Sequence, residues 1–166
     1  MTARLRIREA RPEDAGAVQS MLADLAGELG LTERFAGAEA AIRQHGHGAR
    51  PLFSTLIAET EVPVGLALYF PHFSTLRGQP GVYVQDLWCA PGMRGQRLGS
   101  DLLAAVAEAA ARDWGAAYMA LSVHGHNAAA GRFYARLGFE TASDERPIVL
   151  GGQGFAALSA KRKATA

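Results

Sequence analysis

The chain has a single cysteine, Cys89, among 166 residues. That count excludes an internal disulfide and a cysteine-based zinc cluster, and it fits a reducing compartment. There is no apolar run of about 20 residues, so a membrane-spanning helix is excluded. A secretory signal needs a continuous apolar block near the start. Residues 1–10 instead carry Arg4, Arg6, Arg8 and Glu9. A cytoplasmic location is the resulting expectation. Charge of one sign is also lacking: 17 basic side chains face 16 acidic ones, a formal net charge of +1. A dedicated nucleic-acid binder would carry a strong basic excess. Neither G-x-x-x-x-G-K-[ST] nor G-x-G-x-x-G occurs, which removes the usual nucleotide loops. No internal repeat and no domain boundary interrupts the chain. One domain over residues 1–160 is expected, with 161–166 as a frayed tail.

What is present is a well-patterned globular sequence, 49% apolar and 20% charged. Leu5 and Ile7 alternate with arginines, which predicts a half-buried strand. Pro12 then opens a helix with Glu13 and Asp14 in its first turn, where acids favour the dipole. Val18, Leu22, Leu25 and Leu29 follow at helical spacing, and Gly30 is the stop. A second helix is expected over 38–44, broken by the His/Gly/Pro run of 45–51. Strands are expected over 53–59, 63–70 and 82–89, with 71–81 as a loop rich in Gly, Pro and Ser. After Gly95 the period becomes helical for about 17 residues, with Leu98, Leu102, Leu103, Val106 and Ala110 on one face. A strand over 117–123 precedes a short helix marked by Ala130, Phe133, Tyr134 and Leu137 and closed by Gly138. Residues 147–150 are expected to form a last strand, and 155–160 fit either a strand or a helix. This order predicts an α/β (α+β) fold with a central mixed, mostly antiparallel, twisted sheet flanked by helices.

The informative segment is the strand–turn–helix from Val82 to Ser100. Amides at the start of the helix point outward, and its dipole favours anions. Gly95 and Gly99 leave room near the backbone, and Arg94 and Arg97 add charged donors. A phosphate or pyrophosphate site is one reading. Flexible glycines beside solvated arginines are the other.

Arg94-Gly95-Gln96-Arg97-Leu98-Gly99 resembles the [Q/R]-x-x-G-x-[G/A] signature of the GCN5-related N-acetyltransferases (GNAT). Arg94 and Gly99 match its first and last positions, and Arg97 stands where the middle glycine is usual. A second block, Asn127 to Phe139, looks like the family's N-x-x-A-x-x-F-Y-x-x-x-G-F segment. Tyr83-Val84-Gln85-Asp86-Leu87 and the two strands before it are similar to the diamine (spermidine/spermine) acetyltransferase branch.

The resemblance implies a GNAT fold and transfer of an acetyl group from acetyl-CoA to a primary amine of a small molecule. A diamine, a polyamine or a lysine-like amino acid is the implied acceptor, by direct transfer. Alternatives are a CoA-binding sensor or scaffold without catalysis, and a protein N-acetyltransferase. It further implies a homodimer; the charge balance, the lack of a long apolar run and the lack of a ligand cluster leave no nucleic-acid partner, membrane partner or metal expected. The implied cofactor contacts are Leu87, Trp88, Cys89, Arg94, Gly95, Gln96, Arg97, Leu98, Gly99, Ser100 and Asn127. The implied catalytic positions are Tyr134, as proton donor to the CoA sulfur, and Asp86 and Gln85.

Gln85 stands where the diamine branch has an acid, and a glutamine accepts no proton. Asp86 points to the opposite face of a regular strand, which a bulge would change. His124 and His126 are further candidate bases. They lack a third ligand for a metal. His45, His47 and His72 are expected in loops. Asn127 is expected to cap the helix that follows. Asp24, Glu28, Asp86 and Glu145 are candidate carboxylates for a polycationic acceptor.

Overall fold

The computed structural model describes residues 4–141 and 148–160. Its contacts group into a larger unit ending at Phe133 and a smaller one starting at Tyr134. The larger unit is built on a five-stranded sheet in the order β1-β2-β3-β4-β5. These are β1 (Arg6–Glu9), β2 (Ser54–Glu59), β3 (Pro63–Ser74), β4 (Gln79–Cys89) and β5 (Met119–Leu121). The first four pair antiparallel and β4 pairs with β5 in parallel, so the sheet is mixed and mostly antiparallel, as expected.

Helices α1 (Ala15–Glu28) and α2 (Glu39–His47) cover one face. Ala15, Val18 and Met21 of α1 and Ile42 of α2 form one cluster with Ile57, Leu66, Leu68 and Trp88 of the sheet. Pro12–Asp14 forms a 3-10 turn that leads into α1. Gly30, at φ +70°, ends α1 as expected. The Leu31 amide reaches the Ala26 carbonyl and the Gly30 amide reaches that of Gly27. This double closure satisfies the orphan carbonyls of the last turn.

Helix α3 (Leu98–Trp114) covers the other face, burying Leu98, Leu102, Leu103, Val106, Ala109 and Ala110. Each large apolar side chain buried there contributes about 1.5–3 kcal/mol. Gly65 of β3 permits the close approach, since a Cβ there would sit 3.3 Å from both Leu98 and Leu102. Strands β2 and β3 are therefore buried on both faces, which explains their near-continuous apolar runs.

The edge of the sheet is fastened by charge. Arg8 of β1 donates to both oxygens of Asp14 (2.6 and 3.0 Å) and both of Glu59 (2.9 Å each).

Several expectations are corrected. Residues 71–81 do not form a loop: β3 runs on to Ser74 and β4 starts at Gln79, leaving a four-residue turn. Pro71 and Pro80 are tolerated because this arm extends past the end of β2, where a missing N–H breaks no central ladder. His72 accordingly lies in β3, and His45 and His47 lie in the last turn of α2. Strand β5 is three residues long rather than seven.

The smaller unit takes in the end of α4 (Ala128–Arg136) and all of α5 (Gly152–Ala160). The segment that fitted either a strand or a helix is thus helical. Ile148, Val149 and Leu150 have no regular structure, against the strand expected there. Glu145, Pro147 and residues 161–166 lie outside the described residues.

Candidate active site

The signature segment joins β4 to α3. After Cys89 the chain makes a 3-10 turn at Pro91–Met93, and Gly95 and Arg97 both take left-handed backbone angles, φ +73° and +68°. Among described residues Arg97 is the one non-glycine in that region. This reversal leads the chain from the end of β4 into the first turn of α3. No side chain caps that helix. Its first ladder bond runs from the Asp101 amide to the Arg97 carbonyl at 3.0 Å. The amides before it are left as anion donors. The Arg97 side chain is exposed and has no partner among the described residues. Ser100 Oγ donates back to the Arg97 carbonyl (2.7 Å), and Gln96 donates to the Gly92 carbonyl (2.8 Å).

Other signature residues are already engaged. Leu98 is buried in the α3 core, so it offers a ligand its backbone alone. Gly99 makes room for Phe133, whose ring carbon would lie 3.1 Å from a Cβ at that position. Trp88 is buried, and its indole N–H donates to Glu28 Oε1 (3.0 Å). The Arg94 guanidinium is held by Glu28 and by the Cys89 carbonyl. These partners were not expected from sequence, because 66 residues separate Glu28 from Arg94.

Beside this loop β4 is open on one edge among the described residues. It pairs with β5 at Val82, Tyr83 and Val84 and no further, whereas β3 accompanies it to Cys89. The edge around Leu87 and Cys89 can receive an amide-bearing arm as an added strand. Burial pushes the Cys89 thiol up to about 11, despite Arg94 nearby. It is therefore a protonated thiol at neutral pH and a poor nucleophile.

The position of Asp86 depends on a β-bulge. Tyr69 pairs with Val84 and Leu68 with Asp86, so Gln85 has no opposite number. In an unbroken ladder Gln85 would face Leu68 and Asp86 would face Ala67. The extra residue gives Asp86 the place that Gln85 would have had. Cross-strand partners share a face. Asp86 thus lies on the Leu68 side, which α1 and α2 cover. Gln85 is exposed at the bulge. Desolvation pushes the Asp86 carboxyl up to about 6. No hydrogen bond or ion pair reaches it among the described residues. A lone, desolvated carboxylate of that pKa is suited to accept a proton near neutral pH.

The second block forms α4. Asn127 caps it as expected: its Oδ1 accepts from the Ala130 amide (3.1 Å), and its own amide donates to the His124 carbonyl (2.8 Å). The His124 and His126 rings lie 5.5 Å apart and are exposed. Among described residues no cluster of three metal-ligating side chains exists. Tyr134 belongs to the smaller unit, where its ring meets Phe139 edge-on at 5.4 Å. Its carbonyl accepts the amides of Leu137 and Phe139.

A pyrophosphate-bearing thioester with an amide-rich arm fits these donors: free amides on α3, the unpaired Arg97 cation and the one-sided edge of β4. No helix among the described residues is long and apolar enough to cross a membrane.

Comparison with known proteins agrees with this chemistry. The chain is 34% identical over 141 residues to a thialysine N-epsilon-acetyltransferase of Sus scrofa, covering 80% of this chain and 82% of that enzyme. It is 36% identical over 114 residues to the Mus musculus enzyme of the same name, covering 63% of this chain and 66% of that one. Among solved structures, an aminoglycoside N-acetyltransferase in complex with CoA shares the fold at TM-score 0.71 and 19% identity, over 92% of this chain and 97% of that one. The acetyltransferase (GNAT) family model matches residues 19–139. That span is well over half of the sequence, so the chain belongs to the GNAT family of acetyltransferases, which draw their acetyl group from acetyl-CoA.

Proposed function

We propose that this acetyltransferase moves the acetyl group directly to the primary amine of a small lysine-like or diamine acceptor, with Asp86 as the proton acceptor. The bulge at Gln85 carries this reading, because it turns an unpaired, desolvated carboxylate to the α1 side of β4. The relatives named for thialysine support the acceptor class.

An alkyl ammonium has a pKa near ~10.4, so at pH 7.4 losing its proton costs roughly 4 kcal/mol. Asp86 takes that proton, directly or through one water, and the lone pair so freed attacks the thioester carbon. Because Asp86 is a weaker base than the amine, acceptors of lower amine pKa react faster. Thialysine is such an amine, since its sulfur withdraws electron density from the aminoethyl group. The Tyr134 hydroxyl protonates the departing CoA thiolate. Arg97, the first-turn amides of α3 and the edge of β4 hold the cofactor. Asn127 contributes by holding the start of α4. Residues 1–160 act as one catalytic domain, in the cytoplasm, as a homodimer. Acetyl-CoA supplies the activated acyl group when bound.

Two other readings remain within reach of one experiment. Thiol release from acetyl-CoA is measured with putrescine, spermidine, lysine, thialysine, an aminoglycoside and a short peptide. Thialysine and the diamines are expected to give the highest kcat/KM. Release with the peptide alone overturns the small-molecule reading. Saturable acetyl-CoA binding without release on any amine supports a sensor instead. Tyr134→Phe is expected to lower kcat by about 10²-fold with the acetyl-CoA KM little changed.

A further inference from the structure

Glu28 closes the last turn of α1, far in sequence from the signature loop. Each of its carboxylate oxygens accepts from Arg94 Nη2, at 2.6 and 2.7 Å. Oε1 also accepts the Trp88 indole N–H at 3.0 Å. The same guanidinium donates through Nε to the Cys89 carbonyl at 2.9 Å. One cation therefore ties together the end of α1, the end of β4 and the loop that leads into α3. Desolvation pushes the Glu28 carboxyl up, but the bonds from Arg94 and Trp88 outweigh it and leave the group below its usual range. Glu28 is thus a carboxylate, and a paired one, throughout the neutral range.

The signature resemblance would make Arg94 a pyrophosphate ligand. Its geometry argues otherwise. Nε and Nη2 are committed to protein oxygens, and Nη1 alone makes no hydrogen bond among the described residues. Arg97, three residues on, is exposed and its guanidinium is unpaired among the described residues. We propose that Glu28 is a positioning residue for acetyl-CoA: it holds Arg94 as a strut across the loop, so the strut fixes the loop and Arg97 supplies the cation to the phosphates. This rests on the acetyl-CoA site described above.

A strut and a ligand respond oppositely to loss of Glu28. Removing the carboxylate frees Arg94, so a ligand would bind phosphate better, whereas a strut would loosen the loop. The test uses Glu28→Gln, Arg94→Gln, Arg94→Lys and the Glu28→Gln/Arg94→Gln double variant. Acetyl-CoA affinity is measured by calorimetry. Amide hydrogen exchange at residues 95–99 is followed in the cofactor-free protein.

Glu28→Gln and Arg94→Gln are each expected to weaken acetyl-CoA binding about threefold to tenfold. The double variant is expected to be no weaker than the worse single one, because both changes break one contact. Arg94→Lys is expected to behave like Arg94→Gln, since an ammonium cannot span Glu28 and the Cys89 carbonyl in the same fork. Exchange at 95–99 rises in all four. For Glu28→Gln the loss appears in the KM for acetyl-CoA, with kcat within about twofold of wild type. Tighter or unchanged binding in Glu28→Gln, full rescue by lysine at 94, or additive losses in the double variant would overturn the proposal. Failure of the wild type to bind acetyl-CoA would instead count against the cofactor site, and the exchange data would still judge the strut.

Discussion

Asp14 and Asp86 are the same side chain in opposite surroundings. Asp14 accepts two bonds from Arg8 and one from the Arg11 amide at 2.7 Å. Bonding to Arg8 holds its carboxyl below the ordinary range, against a smaller push from desolvation. Asp86 has no such partner among the described residues, and desolvation alone pushes it to about 6. At the β1 edge the paired charge strengthens the fold. At the bulge a charge weakens it, and that uncompensated carboxylate is the one proposed above as the proton acceptor.

The largest expected effect lies at Asp86. In Asp86→Asn, kcat/KM is expected to fall by at least about 10²-fold. Stability should move the other way. A carboxyl whose folded pKa is raised binds its proton more tightly in the folded state. The penalty is absent at pH 3, develops between ordinary carboxyl values and about 6, and is full above that. Asp86→Asn is therefore expected to gain up to ~3 kcal/mol at pH 8 and little at pH 3, by urea unfolding at each pH. In the wild type, kcat/KM should carry an ascending limb near pH 6, which the variant loses. A variant that is slower but no more stable at pH 8 would mean that Asp86 is not strained as described.

The paired side of the comparison predicts a smaller effect of opposite sign. Arg8→Met strands Asp14 and Glu59, both half-buried, beside one another. A loss of stability is expected at pH 7, with kcat unchanged. Both carboxyls are held low chiefly by bonding to Arg8. Their contribution is thus present above ordinary carboxyl values and lost as the pH falls through their depressed ones. The wild-type excess over Arg8→Met should therefore shrink toward pH 2. An excess that is constant with pH would assign the effect to packing of the arginine stem.

Much of this contrast is absent from the sequence, for reasons that differ by element. Helix α3 was legible because Leu98, Leu102, Leu103, Val106 and Ala110 repeat at a local period, and all five are buried. The cap of Asn127 and the stops at Gly30 and Gly138 are local chemistry too. The β3–β4 arm was not legible, because Pro, Gly and Ser signal a turn by composition whether or not an edge strand tolerates them. The face taken by Asp86 depends on register against β3, and no property of the strand itself sets it. Arg94 was legible as a cation in a phosphate-binding pattern. Its partner Glu28 was not, since the pair forms only when α1 packs beside β4.

Arg97 combines both sides of the comparison in one residue. Its backbone lies in the left-handed region at φ +68°, which for a side chain with a Cβ costs about 1 kcal/mol relative to glycine. Its guanidinium is exposed and unpaired among the described residues, beside amides that await an anion. Arg97→Gly removes the strain and the cation together, whereas Arg97→Ala removes the cation alone. Glycine is expected to raise Tm by about 2–4 °C and alanine to leave it near wild type. Both should weaken acetyl-CoA binding severalfold and flatten its dependence on salt, because a charge contact to phosphate is lost. If glycine raises Tm and binding stays at the wild-type level in both variants, the backbone amides alone hold the pyrophosphate, and the strain at Arg97 serves no cofactor contact.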